Sequence, residues 1–187
     1  MEVISLVTMK GGSGKTTLAT CLGVYWGKQG KRVGYIDADP SQTAWRLSQL
    51  GHGFHQVEFE TARQDTLETK IKAYRDKGKD RLLIDTPGFE SPLIEAAIKN
   101  SDCILIPIRP SPIDFQVAID TYNLINELVK AHPRKLVRFV LTQANMKSLI
   151  ARQIKQDIQV RNFMICNQHF SARVAYAEAI LSGSTPS

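Results

Sequence analysis

Thr8-Met9-Lys10-Gly11-Gly12-Ser13-Gly14-Lys15-Thr16-Thr17 is the stretch on which the reading of this chain turns. It follows an apolar, β-branched run, Val3–Thr8, and opens a helical stretch over about Thr16–Gln29 that Gly30 is placed to end. A strand, a Gly-rich turn and Gly-Lys-Thr-Thr at the head of a helix make a phosphate-binding loop credible. Gly11, Gly12 and Gly14 let the backbone curl so that successive N–H groups point inward at phosphate oxygens. The start of the helix adds its partial positive charge. In this reading Lys15 reaches the β- and γ-phosphates of ATP and the Thr16 hydroxyl is a direct Mg²⁺ ligand, with Ser13 and Thr17 completing the cradle. The plainer alternative is a flexible Gly-Ser loop ahead of a helix.

Outward from this loop, short apolar runs alternate with longer helical stretches. Arg32–Asp37 reads as a second strand and Gln42–Leu50 as a short helix closed by Gly51. A weaker strand over His55–Glu58 leads to a polar helix, about Asp65–Lys77, that stops at Gly78. Asp80–Asp85 is then a buried strand, Ser91–Lys99 a helix, Cys103–Ile108 a strand, and Ile113–Lys130 a long helix ended before Pro133. Leu136–Thr142 is the next strand, followed by a helix over about Ser148–Gln159, a strand over Phe163–Cys166 and a final helix over Arg173–Leu181. Runs such as Leu82-Leu83-Ile84 and Ile104-Leu105-Ile106 lack period-two alternation, which suits a parallel sheet covered on both faces. Repeated βα units predict an α/β fold, a three-layer sandwich with a mostly parallel central sheet, formed as a single domain over 1–187.

At 187 residues, with 43% hydrophobic and 22% charged residues, the composition is that of a globular domain. No apolar run approaches the roughly 20 residues that span a bilayer, and the N-terminus does not read as a signal peptide. Cys21, Cys103 and Cys166 lie far apart and form no CxxC pair, so a reducing cytoplasm is expected. The net charge of +6 is unevenly placed. Residues 1–130 balance sixteen Lys/Arg with sixteen Asp/Glu, whereas 131–187 hold eight Lys/Arg against Asp157 and Glu178 alone. Such asymmetry points towards nucleic acid or another acidic surface.

One position departs from the standard phosphate-loop pattern, which would place Gly where this chain has Met9. Lys10 instead precedes Gly11-Gly12, and the whole run resembles the deviant Walker A motif of the ParA/MinD family of cytoplasmic ATPases, P-loop NTPases of the SIMIBI class. Lys10 matches that family's signature lysine, which in ATP-bound dimers crosses to the nucleotide of the opposite subunit. A cation supplied in trans neutralises charge developing on the transferring phosphoryl group, as an arginine finger does; the bland alternative is a solvated loop lysine. Ile36-Asp37-Ala38-Asp39-Pro40 resembles the family's switch I. The resemblance implies that Asp39 orients or activates the attacking water and that Asp37 supports the Mg²⁺ shell. Ser41 stands where many members carry Gln, and Gln42 follows it. Leu82-Leu83-Ile84-Asp85 is an apolar strand ending in Asp, the Walker B arrangement, so Asp85 holds Mg²⁺ through a water; Thr86-Pro87-Gly88 matches switch II. Ile106-Pro107-Ile108-Arg109-Pro110-Ser111-Pro112-Ile113-Asp114 also looks like this family. Leu141-Thr142-Gln143-Ala144-Asn145 falls where members place an adenine-contacting amide, a role for Gln143 or Asn145. The resemblance runs to about residue 183, where members usually add another helix.

Partition ATPases of this family bind DNA without sequence preference through basic residues on late helices. The candidates here are Arg134, Lys135, Lys147, Arg152, Lys155, Arg161 and Arg173, with Arg152 and Lys155 at i,i+3 on one helix face; a merely solvated basic face is the alternative. The resemblance implies a homodimer in the ATP state, a ParB-like or other cargo adaptor that stimulates hydrolysis, and a nucleoid-associated position in the cytoplasm. A MinD-like membrane-positioning regulator would need an amphipathic basic tail, and Ala175–Leu181 supplies no Lys or Arg, so membrane association is not expected. A metabolic or carrier ATPase of the same superfamily is a further alternative.

Overall fold

A computed structural model describes residues 1–50, 54–130 and 134–171. Its centre is a six-stranded sheet: β1 (Glu2–Leu6), β2 (Val33–Asp37), β3 (Val57–Thr61), β4 (Arg81–Asp85), β5 (Cys103–Ile108) and β6 (Leu136–Leu141). The order is β3-β2-β4-β1-β5-β6 and every pairing is parallel. Between the strands run α1 (Lys15–Lys28), α2 (Thr43–Ser48), α3 (Leu67–Asp76), α4 (Pro92–Asn100), α5 (Pro112–Val129) and α6 (Leu149–Val160).

The continuous apolar strands are explained by which core each residue enters. Within β4, Leu83 packs with α1 residues Leu18, Ala19 and Val24, while Leu82 and Ile84 pack on the opposite face with Leu67, Ile71 and Tyr74 of α3. In β5, Leu105 joins the α1 side, whereas Ile104 and Ile106 join Ile94 and Ile98 of α4 and Ala118 and Ile125 of α5. Successive side chains alternate between faces as in any strand, but both faces are covered, so no polar residue is called for. Each such Leu or Ile contributes roughly 1.5–3 kcal/mol by burial.

Two strand expectations shift. The edge strand β3 occupies Val57–Thr61 rather than His55–Glu58. Its Val57 and Phe59 face the α1 core, and Tyr35 stacks on Phe59 at 4.6 Å between ring centroids. Glu58 and Glu60 on the other side pair with Lys77, Lys79 and Lys70. Charged residues on an edge strand also discourage pairing with another sheet. The expected strand over Phe163–Cys166 contracts to a single parallel bridge, Phe139↔Ile165. Asn162, at φ 58°, turns the chain out of α6. The following segment then lies along β6, with Phe139 N–H donating to Met164 O at 2.8 Å and Phe170 N–H to Leu141 O at 2.8 Å. It covers the sheet edge without building a full strand. The helix expected over Arg173–Leu181 lies outside the described residues. The three cysteines are free, and no helix among the described residues is long and apolar enough to cross a membrane.

Candidate functional site

β1, β2 and β4 are adjacent and parallel, so the segments that leave their carboxyl ends come together. Leu6, Asp37 and Asp85 end these three strands, and Asp85 lies in register with both Leu6 and Asp37. This brings Met9–Thr17, Asp37–Thr43 and Asp85–Gly88 to one place, the crevice at which parallel α/β sheets bind ligands.

The loop after β1 is clamped from three directions. Gly14 sits at φ 93°, and a Cβ there would stand 3.3 Å from Cβ of Thr142. The Thr142 hydroxyl, just past β6, donates to Ser13 O at 2.6 Å. Thr86 Oγ1 donates to Leu6 O at 2.7 Å. A Cβ on Gly88 would stand 2.9 Å from Cα and N of Gly11, so only glycine lets the loop after β4 lie this close to the loop after β1. The first turn of α1 carries no acidic residue, which leaves its free N–H groups and their partial positive charge open to an anion.

Lys15 is 7% exposed, and among the described residues its ammonium makes one hydrogen bond, to Lys10 O at 3.3 Å. Burial lowers its pKa, while Asp85 and Asp39 oppose that shift. Asp85 is 1% exposed. Its Oδ2 accepts from Thr16 Oγ1 at 2.7 Å and from the Tyr35 hydroxyl at 3.2 Å, whereas Oδ1 is buried with no partner. Burial pushes the Asp85 carboxyl up to about 7; the Asp37 charge adds to this, and Thr16, Lys15 and Tyr35 oppose it. Asp37 is also raised by burial, and its oxygens accept Trp45 N–H at 3.0 Å and Asp39 N–H at 3.2 Å. Asp39 is half-buried and accepts Ser41 N–H at 2.8 Å. A hydroxyl, two crowded buried carboxylates and an orphaned carboxylate oxygen are a donor set that a hard divalent cation with oxygen ligands satisfies. The residues present therefore fit Mg²⁺.

Lys10 does not extend into solvent. Its ammonium pairs with the Asp114 carboxylate, which also takes Arg109 Nε at 2.7 Å and a second Arg109 nitrogen at 3.3 Å. Burial alone would raise the Asp114 carboxyl, but Arg109 and Lys10 outweigh it and hold it below the ordinary range. Gln143, at φ 49°, and Asn145 are exposed on the loop after β6, close to Thr142; Asn145 Oδ1 accepts Lys147 N–H at 3.0 Å.

The basic candidates among the described residues differ in their surroundings. Lys135 donates to the carbonyls of Ile98, Lys99 and Ser101 at 3.1, 2.5 and 2.7 Å, closing the carboxyl end of α4, and burial lowers its pKa. It is committed to the fold, which removes it from the set. Arg134 is exposed beside it, at the opposite end of β6 from Lys147. Arg161 lies over the Phe115 ring at 5.8 Å. Arg152 is exposed and Lys155 half-buried on α6, and neither is in an ion pair among the described residues. Arg173 lies outside the described residues.

Sequence reasoning missed Asp114 as the partner of Lys10, Arg109 as the second cation on Asp114, Thr142 as the brace of the loop, and Tyr35 as the second donor to Asp85. Asp114 and Arg109 stand in a family-like stretch whose spacing carries no pairing signal, and a tyrosine two residues before a strand-end Asp carries no motif signal.

A family model described as VirC1 protein matches residues 1–180. Among curated proteins, VirC1 of Rhizobium radiobacter is 32% identical over 148 residues, covering 76% of this chain and 64% of that protein. ParA of the same organism is 28% identical over 183 residues, covering 95% of this chain and 81% of that protein. In three dimensions the chain resembles a Cyanothece McdA–ATP complex with a TM-score of 0.79 at 17% identity, covering 99% of this chain and 88% of that one.

Proposed function

The chain belongs to the VirC1 family, within the ParA/MinD group of deviant Walker A P-loop ATPases, and from that premise we propose that it hydrolyses ATP to position a cargo. Its ATP-bound form pairs with a second copy and associates with DNA irrespective of sequence, and a ParB-like or other adaptor protein stimulates turnover. Its place is the cytoplasm, on the nucleoid. The observation that supports this best is the meeting of three strand ends around a buried lysine and an orphaned carboxylate oxygen.

In this reading the N–H groups of Gly11–Gly14 and the start of α1 cradle the phosphates, with Ser13, Thr16 and Thr17 lining them. Lys15 reaches the β- and γ-phosphates, which would give its buried charge an anionic partner. Mg²⁺, held by Thr16 and supported by Asp85 and Asp37, neutralises charge on the phosphate oxygens when bound. Asp39 orients the attacking water. Lys10 of each subunit reaches the nucleotide of the other, and Gln143 or Asn145 contacts the adenine. The γ-phosphate orders the loops after β2 and β4, favouring the dimer, and hydrolysis releases them.

The contact between Gly88 and Gly11 makes the coupling between these loops testable. Gly88→Ala forces a methyl against backbone, so the loop after β4 must withdraw. Mg-ATP affinity is expected to fall by about tenfold or more, while the nucleotide-free thermal midpoint stays near that of the unsubstituted chain. Unchanged ATP affinity would show that this approach is dispensable.

DNA association is tested on α6. With ATP, binding to random-sequence duplex is expected to weaken steeply with salt, because each neutralised phosphate releases counterions. The pair Arg152→Glu and Lys155→Glu should weaken it by about tenfold or more on every sequence and flatten the salt slope. Fluorescence anisotropy measures both. Binding confined to one sequence, or insensitive to salt, would remove DNA from the proposal.

A further inference from the structure

Tyr35 stands in the middle of β2, where its surroundings ask only for a large apolar side chain. It is fully buried, joins Leu83 of β4 in the core on the α1 side, and stacks on Phe59 at 4.6 Å between ring centroids. Phenylalanine would fill that space as well. A hydroxyl carried into such a core is unfavourable unless it finds a hydrogen-bond partner. This one finds Asp85, donating to Oδ2 at 3.2 Å.

The sheet register explains the reach. Tyr35 lies opposite Leu83, so Asp85 stands two residues further along the neighbouring strand and on the same face. That is roughly 7 Å along the strand, which a tyrosine side chain leaning forward can cover. The ring is anchored on β2 and steadied by Phe59 of β3. Its hydroxyl therefore reaches the carboxylate from the packed core and not from a loop.

Two donors from different elements converge on one oxygen. Thr16 Oγ1, at the head of α1, donates to Asp85 Oδ2 at 2.7 Å, and Tyr35 donates to the same atom from β2. Oδ1 takes no donor among the described residues. With Thr16 alone, the carboxylate could turn about its soft terminal torsion and the threonine hydroxyl could follow it. A second donor fixed in the core holds the carboxylate plane and makes the two oxygens unequal.

Resting on the reading above, in which Asp85 supports Mg²⁺, we propose that Tyr35 is a positioning residue for Asp85. Its hydroxyl pins Oδ2 and reserves Oδ1 for the shell of the metal. Tyr35 thereby sets how much Mg²⁺ adds to ATP affinity while touching neither nucleotide nor metal. Partners that orient a metal-binding carboxylate in this way commonly carry about 10–100-fold in metal affinity.

Tyr35→Phe keeps the ring, the stack on Phe59 and the core, and removes the donor alone. Displacement of a fluorescent ATP analogue gives ATP affinity in excess EDTA and in excess Mg²⁺, and the ratio of the two is the gain that the metal supplies. In the variant that gain is expected to fall about tenfold, while affinity in EDTA stays within about twofold of the unsubstituted chain. Damage to the core or to the phosphate loop would weaken binding in both conditions alike. An equal loss in both therefore overturns the proposal, as does an unchanged gain.

Asp85→Asn supplies the background that separates the hold from its target. It should remove most of the gain by itself, and adding Tyr35→Phe should then remove nothing further, because residues that act through one group are not additive. The same loss from Tyr35→Phe in that background would mean an action that bypasses Asp85, and the proposal fails. If Asp85→Asn removes the gain while Tyr35→Phe leaves it, the metal reading stands and the hold falls. If Asp85→Asn itself leaves the gain intact, the metal reading falls and takes the hold with it.

Discussion

Lys15→Ala is expected to abolish measurable ATP binding, raising the dissociation constant about 100-fold or more. A charge-assisted hydrogen bond to a buried partner is worth about 1.5–3 kcal/mol, and a lysine bridging two phosphates makes at least two, so about 2.7 kcal/mol for a 100-fold loss is a conservative figure. Lys15 is 7% exposed, and among the described residues its ammonium donates to Lys10 O at 3.3 Å. A cation in that position is a burden to the empty protein, since burial disfavours its charged form. Removing it should therefore leave the nucleotide-free thermal midpoint unchanged or higher. Mg-ATP is expected to raise the midpoint of the unsubstituted chain, as a ligand of the folded state alone does, and the variant should show no such rise. Differential scanning fluorimetry with and without Mg-ATP reads both outcomes. A variant that melts earlier when empty yet keeps its ATP shift would show that Lys15 braces the loop rather than binding phosphate.

The parts of this site that the sequence announces are contiguous. Lys10–Thr17, Asp37–Pro40 and Asp85–Gly88 each follow a strand directly, and a parallel sheet has no choice but to bring adjacent strand ends together. The parts it conceals depend on contacts between distant segments. Lys10 meets Asp114 only because β5 lies beside β1 and delivers α5 next to the phosphate loop. Lys135 reads as a surface charge until α4 is seen to end beneath it with open carbonyls. Tyr35 looks like a strand residue filling a core; it is one, and its hydroxyl also reaches Asp85. The edge strand departs from its expected range, His55–Glu58, for a different reason. Val57-Glu58-Phe59-Glu60-Thr61 alternates, and its glutamates pair with Lys70 on α3 and with Lys77 and Lys79 just past that helix, so the charged face of the strand is satisfied by its neighbour.

Asp39→Ala is expected to lower ATP turnover about 100-fold or more while leaving ATP binding intact, because a positioned general base contributes about 10²–10⁴-fold. In the proposed cycle lifetime follows from rate: a dimer held together by two intact nucleotides would dissociate when they are cleaved, so slowing cleavage should accumulate the dimer. Size-exclusion chromatography should show Asp39→Ala at twice the monomer mass with Mg-ATP and at monomer mass with ADP. Asp39 has a second role that could mimic this result, since its carboxylate accepts Ser41 N–H at 2.8 Å and shapes the turn after β2. Asparagine keeps an acceptor for that bond but cannot take a proton from water. Asp39→Asn should therefore trap the dimer as Asp39→Ala does, with phosphate release equally slow. If Asn restores turnover, the residue serves the turn and the base lies elsewhere; if both variants stay monomeric with Mg-ATP, the nucleotide does not govern pairing at all.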